Sequence, residues 1–241
     1  SLLHAAPNLS VLVTSRERLN LLGEHIYPVE GLAYAPEQPS PGDDGAPAVH
    51  LFVASAQRRR PDFAADPANL PGIMRICRLV QGMPLGLELA AAWVDILSPA
   101  EIAGEIEQSV DFLTSEWRDL PERQRSMRAV FGWSWNHLGE PEQLAFRQLA
   151  IFRAGFTRQA AQAVAGASAL MLNRLVQKSL LRVSASNNGE SRFELHELLR
   201  QFAEDGLAAL PEQARQVRRR HAAFFAALAE QAEPQLVGAD Q

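Results

Sequence analysis

A phosphate-binding P-loop needs a lysine behind a glycine-containing loop to reach the phosphates, and this 241-residue chain has one lysine, Lys178. The residues before it, Leu172-Asn173-Arg174-Leu175-Val176-Gln177, contain no glycine, so the chain carries no P-loop. Its six histidines are scattered, with no metal-ligand spacing and no nucleophile set beside a base. The single cysteine, Cys77, excludes an intrachain disulfide and a closed cysteine zinc site. It recurs at helical spacing with Ile73, Ile76 and Val80, which marks a core residue rather than a nucleophile. Three short groups remain: Thr14-Ser15-Arg16, Gly82-Met83-Pro84-Leu85, and His196-Glu197. An arginine such as Arg16 can donate to a terminal phosphate, or it can cap a strand and pair with Glu17 or Glu24. Gly82 stops one helical pattern and Pro84 suits the first turn of the next, where its missing N–H is not needed. His196 reads as the cap of a helix start.

These groups are set by the elements around them. Leu9 to Val13 is a nearly continuous apolar run, as in a strand buried on both faces of a parallel sheet. His25 to Val29 reads as a second short strand. Strand carboxyl ends face the ligand in open α/β sheets, which would place Thr14, Ser15 and Arg16 at a ligand edge. Residues 35–46 are rich in proline, glycine and aspartate and form a linker. Four helices follow over 47–113. Val49, Phe52, Val53 and Ala56 make one face, which ends at Arg58-Arg59-Arg60, a solvated helix end rather than a nucleic-acid patch. The next helix spans about Pro67 to Val80, and Leu85, Leu89, Ala92 and Ile96 line the one after it. Ser98-Pro99-Ala100-Glu101 is a capped start for the last.

A third unit occupies 114–210. Met127, Phe131, Trp135 and Leu138 share a face, Leu144, Leu149 and Phe152 mark a second helix, and Phe156-Thr157-Arg158 starts a third. Leu172, Leu175, Val176 and Leu180 mark a fourth. Two short strands, Leu181–Ala185 and Arg192–Leu195, flank the turn Ser186-Asn187-Asn188-Gly189. Helices followed by a β-hairpin make a winged helix. Leu195, Leu198, Leu199, Phe202 and Leu207 then line one helix face, with His196 and Glu197 off it. After Pro211 an alanine-rich helix with Phe224-Phe225 runs to about Glu233, and 211–241 suits the start of a helical repeat array, TPR-like in kind.

Gly82-Met83-Pro84-Leu85 resembles the Gly-Leu-Pro-Leu motif of the NB-ARC/AP-ATPase branch of the STAND nucleotide switches. Leu12-Val13-Thr14-Ser15-Arg16-Glu17 resembles the sensor-1 strand of that family. Leu195-His196-Glu197 resembles its Met-His-Asp motif, with leucine for methionine and glutamate for aspartate. The resemblance implies a mainly α chain: the end of an α/β nucleotide-binding core (1–34), a four-helix small domain, a winged helix and the entry to a sensor repeat. It implies that Pro84, flanked by Gly82 and Leu85, lies against the adenine of ADP or ATP. It also implies that Arg16, with Thr14 and Ser15, senses the γ-phosphate, and that His196 meets the β-phosphate of ADP. Magnesium would be held only by an upstream part. Such a protein would be a slow ATPase switch, and this chain by itself inactive. Its partners would be the nucleotide, an upstream P-loop half, effector and sensor domains and, on activation, further copies of itself.

A net charge of −5 and a pI near 5.7 argue against wholesale nucleic-acid binding. Phe156–Leu181 offers chiefly Arg158, Arg174 and Lys178 for phosphate, so direct DNA contact by this segment is not expected. A DNA-binding winged-helix transcriptional regulator is nevertheless the rival reading. No apolar run reaches membrane-spanning length and no secretory leader opens the chain, so no membrane partner and a cytoplasmic location are expected. Ser1–Ala6 reads as the last turns of a helix already under way, as expected for the back part of a larger protein.

Overall fold

A computed structural model describes residues 8–34, 46–115, 121–185 and 190–236. The helix end expected at 1–6, most of the linker 35–46, the turn Ser186–Gly189 and the chain end at Gln241 lie outside them. The helices begin where local chemistry starts them. Helices α1 (Pro47–Gln57), α3 (Pro84–Ala91) and α4 (Pro99–Gln108) each open on a proline, while α2 runs Leu70–Leu79. Before α4, Ser98 Oγ accepts from the Glu101 N–H, and the Glu101 carboxylate accepts from the Ser98 N–H at 2.8 Å, a complete capping box. Helix α1 packs on α3, and α2 on α4. Phe52, Phe63, Ile73, Ile76, Leu87, Leu89, Ile102 and Ile106 are buried between them. Cys77 is among these core residues, and burial pushes its thiol up to about 12, so it is inert.

After a short 3-10 turn (Val110–Phe112), α5 (Met127–Trp135) and α6 (Glu140–Leu149) lead into strand β1 (Phe156–Thr157). Helices α7 (Arg158–Ala165) and α8 (Ala169–Gln177) follow, then β2 (Arg182–Ala185) and β3 (Ser191–Glu194). The sheet is antiparallel in the order β1-β3-β2, with Phe156 opposite Phe193 and Val183 opposite Phe193 on the other side. Helix α9 (Glu197–Ala208) returns across α6, and α10 (Pro211–Leu236) packs mainly on α7. The buried apolar residues of α1–α4 and of α5–α9 form one continuous cluster. The chain is therefore mainly helical with a winged helix, as the pattern predicts.

Several local expectations are corrected. Neither 9–13 nor 25–29 is a strand. Leu12 is 97% exposed and Tyr27 and Val29 each 87%, and no described strand pairs with either segment. An apolar run becomes a buried strand only when a ladder partner satisfies its backbone. Thr14-Ser15-Arg16 therefore does not sit at the end of a parallel strand here. Ile96 is not on the face of α3: turns with Trp93 N–H on the Ala90 carbonyl and Ile96 N–H on the Trp93 carbonyl replace the helix, and Ile96 stands exposed. Phe156-Thr157 is a strand before it is a helix start, which makes the sheet three-stranded.

Candidate functional site

The turn between α2 and α3 gathers two of the three groups. Gln81 and Gly82 both take left-handed backbone, with φ of 47° and 66°. Only glycine fits at 82, because a Cβ there would lie 1.9 Å from the Leu32 carbonyl oxygen. The Leu32 N–H donates to the Gly82 carbonyl at 2.8 Å, which ties segment 31–32 to the turn. Met83 precedes the helix as its N-cap, Pro84 opens it and is exposed, and Leu85 is half-buried against the core.

His196 reaches this turn from the winged helix. It is the N-cap of α9, with the Leu198 N–H donating to its Nδ1 at 3.1 Å. With Nδ1 accepting, the ring proton sits on Nε2, which donates to the Val80 carbonyl at 3.2 Å. The residue is 6% exposed, so the reading that it points off the buried face is corrected: a cap lies outside the helix and does not follow its periodicity. Burial lowers its pKa to about 4, the Val80 hydrogen bond opposing and the nearby Arg182 adding to the effect. The imidazole is neutral at pH 7 and both its nitrogens are in use. Arg182, at the base of the wing, donates to Gln81 Oε1 at 3.2 Å across the same junction. Farther along α9, Gln201 Nε2 donates to the Ile106 and Glu107 carbonyls at 3.2 and 3.3 Å.

Thr14, Ser15 and Arg16 lie elsewhere. With Gln124, Val130 and Trp133 they line an open cavity of about 440 Å³. The Arg16 guanidinium donates to the Val130 carbonyl at 2.9 Å and to Ser134 Oγ at 3.0 Å, both on α5. The Ser179 hydroxyl donates to the Arg16 carbonyl at 2.6 Å. The structure thus brings His196 to Val80, at the turn that contains Gly82, and sets Arg16 against the winged helix.

Helices α7 and α8 with their intervening turn form a helix-turn-helix. Thr157 Oγ1 caps α7, Gly166 ends it at φ 63°, and Ser168 Oγ caps α8 by accepting from the Met171 N–H at 3.3 Å. Leu172 and Leu175 anchor α8 in the core, whereas Leu170, Asn173 and Arg174 are exposed. Arg158 is exposed at the start of α7. The two cations of the α8 segment meet one carboxylate that sequence reasoning passed over. Glu142 lies 3.5 Å from Arg174 and 3.8 Å from Lys178, and it also accepts from the Gly139 N–H at 3.0 Å. The signal available in the sequence was the glutamate three residues after Gly139, at a helix start; its cationic partners are more than 30 residues away.

One comparison with known proteins falls on this part of the chain, and others run over nearly all of it. Residues 138–208 match the winged helix-turn-helix domain. The chain is 36% identical, over 95% of its length, to the "Putative HTH-type transcriptional regulator Rv0890c" of Mycobacterium tuberculosis (strain ATCC 25618 / H37Rv). It is equally similar to its counterpart Mb0914c of Mycobacterium bovis, and 32% identical over 86% of its length to the "Uncharacterized protein Rv0894" of M. tuberculosis. The chain spans 25% of the first two relatives and 52% of the third. A helix-turn-helix is a DNA-docking geometry, which weighs against the expectation that this segment leaves DNA alone. Among the described residues no helix is long and apolar enough to cross a membrane.

Proposed function

We propose that this chain is part of a transcriptional regulator and that its winged helix-turn-helix docks on duplex DNA, with α8 as the helix presented to the groove. The observation that carries this reading is the exposed face Leu170, Asn173 and Arg174 on a helix anchored by Leu172 and Leu175, next to Arg158 at the start of α7. Asn173 is suited to a base edge and Arg158 to a phosphate, while Leu170 offers an apolar contact. The regulator named among the relatives supports the reading. The test is fluorescence anisotropy of the purified chain with duplex DNA across a salt series. The apparent affinity should fall with salt, and Arg158→Ala should reduce the log–log slope by about 1. A slope indistinguishable from zero overturns the proposal.

A second reading is favoured by one observation, the convergence of His196 on the Gly82 turn. In it, the helical and winged-helix units close over ADP and open on exchange for ATP, with Pro84, Gly82 and Leu85 on the base side and His196 on the phosphate side. The neutral His196 carries one donor, Nε2–H, which serves the Val80 carbonyl and would have to leave it to meet a phosphate. Arg16, with Thr14 and Ser15, would serve the ATP form. A ligand shifts such an equilibrium only through contacts that differ between the two forms. Calorimetric titration of the full-length protein should find ADP weakened more than ATP by His196→Ala, by roughly tenfold. Equal loss for both nucleotides removes this reading.

A further inference from the structure

Both cations of the α8 segment share one carboxylate inside the fold. Glu142, on α6, is only 8% exposed, and its carboxylate faces Arg174 at 3.5 Å and Lys178 at 3.8 Å. The Lys178 ammonium also donates to the His137 carbonyl, and its side chain is only 22% exposed, so it is drawn inward. Arg174 keeps 56% of its side chain exposed and can leave. The carboxylate is fixed where it is, because the same residue satisfies the Gly139 N–H at the start of α6.

We propose that Glu142 is a built-in competitor for the phosphate backbone, a fixed carboxylate that occupies the place of a phosphate against Arg174 and Lys178 and holds down the affinity of the helix-turn-helix for nucleic acid. A phosphate contact by Arg174 has to replace an existing ion pair rather than create one. Counterion release from the DNA is then offset by loss of the internal pair, and the electrostatic part of binding is smaller than the number of cations suggests. The net charge of −5 works in the same direction at long range, but Glu142 acts on these two side chains specifically. The consequence is a winged helix that discriminates by groove contacts and by how it is presented to DNA, not by non-specific charge.

This inference rests on the DNA-docking reading, and its test separates the two. Glu142→Gln keeps an oxygen for the Gly139 N–H and removes the charge. Wild type, Glu142→Gln, Arg174→Ala and the double variant are titrated with a random-sequence duplex between about 50 and 200 mM salt. Glu142→Gln should steepen the log–log slope by about 1 and tighten low-salt binding about threefold, since each additional phosphate contact is worth about threefold over that salt range. Arg174→Ala should cost the Glu142→Gln protein about one unit of slope and the wild type distinctly less. An equal loss in both backgrounds, with DNA still bound, overturns the role of Glu142 and leaves DNA docking intact. That comparison can be made on wild type and Arg174→Ala alone if Glu142→Gln does not fold: a full unit lost from wild type overturns it too. No binding by any of the four proteins overturns the docking reading itself and the inference with it.

Discussion

The winged helix has two working faces, and they are built on opposite principles. The face toward α1–α4 is dry. His196 is buried and neutral, Gln201 is buried against the end of α4, and each donates from Nε2 to backbone carbonyls of the other unit. The face presented by α7 and α8 is wet, with Leu170, Asn173 and Arg174 in solvent and the α8 cations paired to Glu142. A buried polar group is costly to leave unpaired, whereas an exposed one exchanges freely with water. Substitutions at the first face should therefore be read in stability, and those at the second in binding. The difference also separates the two functional readings: a nucleotide switch needs the dry junction to open, and a DNA reader needs only the wet face.

The largest expected effect breaks the dry face by protonation. In the folded chain burial holds the His196 pKa near 4, against an ordinary value of 6.5 when unfolded. The neutral form is the one that fits, so its contribution is complete above pH 6.5. As the pH falls below 6.5 the unfolded chain takes up a proton first, and stability drains away until about pH 4, where both states are charged. That depression corresponds to about 3 kcal/mol. Urea unfolding at pH 7 and at pH 4.5 should show wild type losing more stability than His196→Asn, which keeps a capping side chain and does not titrate. Equal losses in the two proteins would show that the histidine stays hydrated or that the junction opens without it.

Much of the dry framework is legible in the sequence because it is local. Proline at the helix starts, the Ser98–Glu101 box and the apolar spacing of α9 each lie within a few residues, and all three recur in the structure. The winged topology is legible as well, from four helical patterns and two strands around a turn. What escapes is set at longer range. Strand β1 is two residues long and too short to show a period, yet it pairs with β3. The runs 9–13 and 25–29 have strand composition, but composition supplies no ladder partner. The positive φ of Gln81 is invisible, since nothing marks a glutamine for left-handed backbone. Of the candidate site residues, Gly82 and His196 meet through Val80, while Thr14, Ser15 and Arg16 form a separate cavity wall. The Arg174–Glu142 pair joins residues of two different helices, and no periodicity within either one encodes it.

A smaller change sharpens the comparison by deleting a side chain from each face. Gln201 Nε2 spans the junction to two carbonyls near the end of α4, and its own Oε1 is buried without a partner. Gln201→Ala removes two cross-unit hydrogen bonds and leaves both carbonyls short of a donor, which costs stability. It also removes the orphan oxygen, which returns part of that cost. The balance should be a loss of about 1–2 kcal/mol, below the effect of protonating His196 because no charge is buried. Asn173→Ala, on the wet face, loses only groups that water already serves and should stay within about 0.5 kcal/mol of wild type. Chemical denaturation of both variants at pH 7 makes the comparison. If Asn173→Ala costs as much as Gln201→Ala, α8 is packed against something and is not a free surface, and the contrast between the two faces fails on the side that DNA docking depends on.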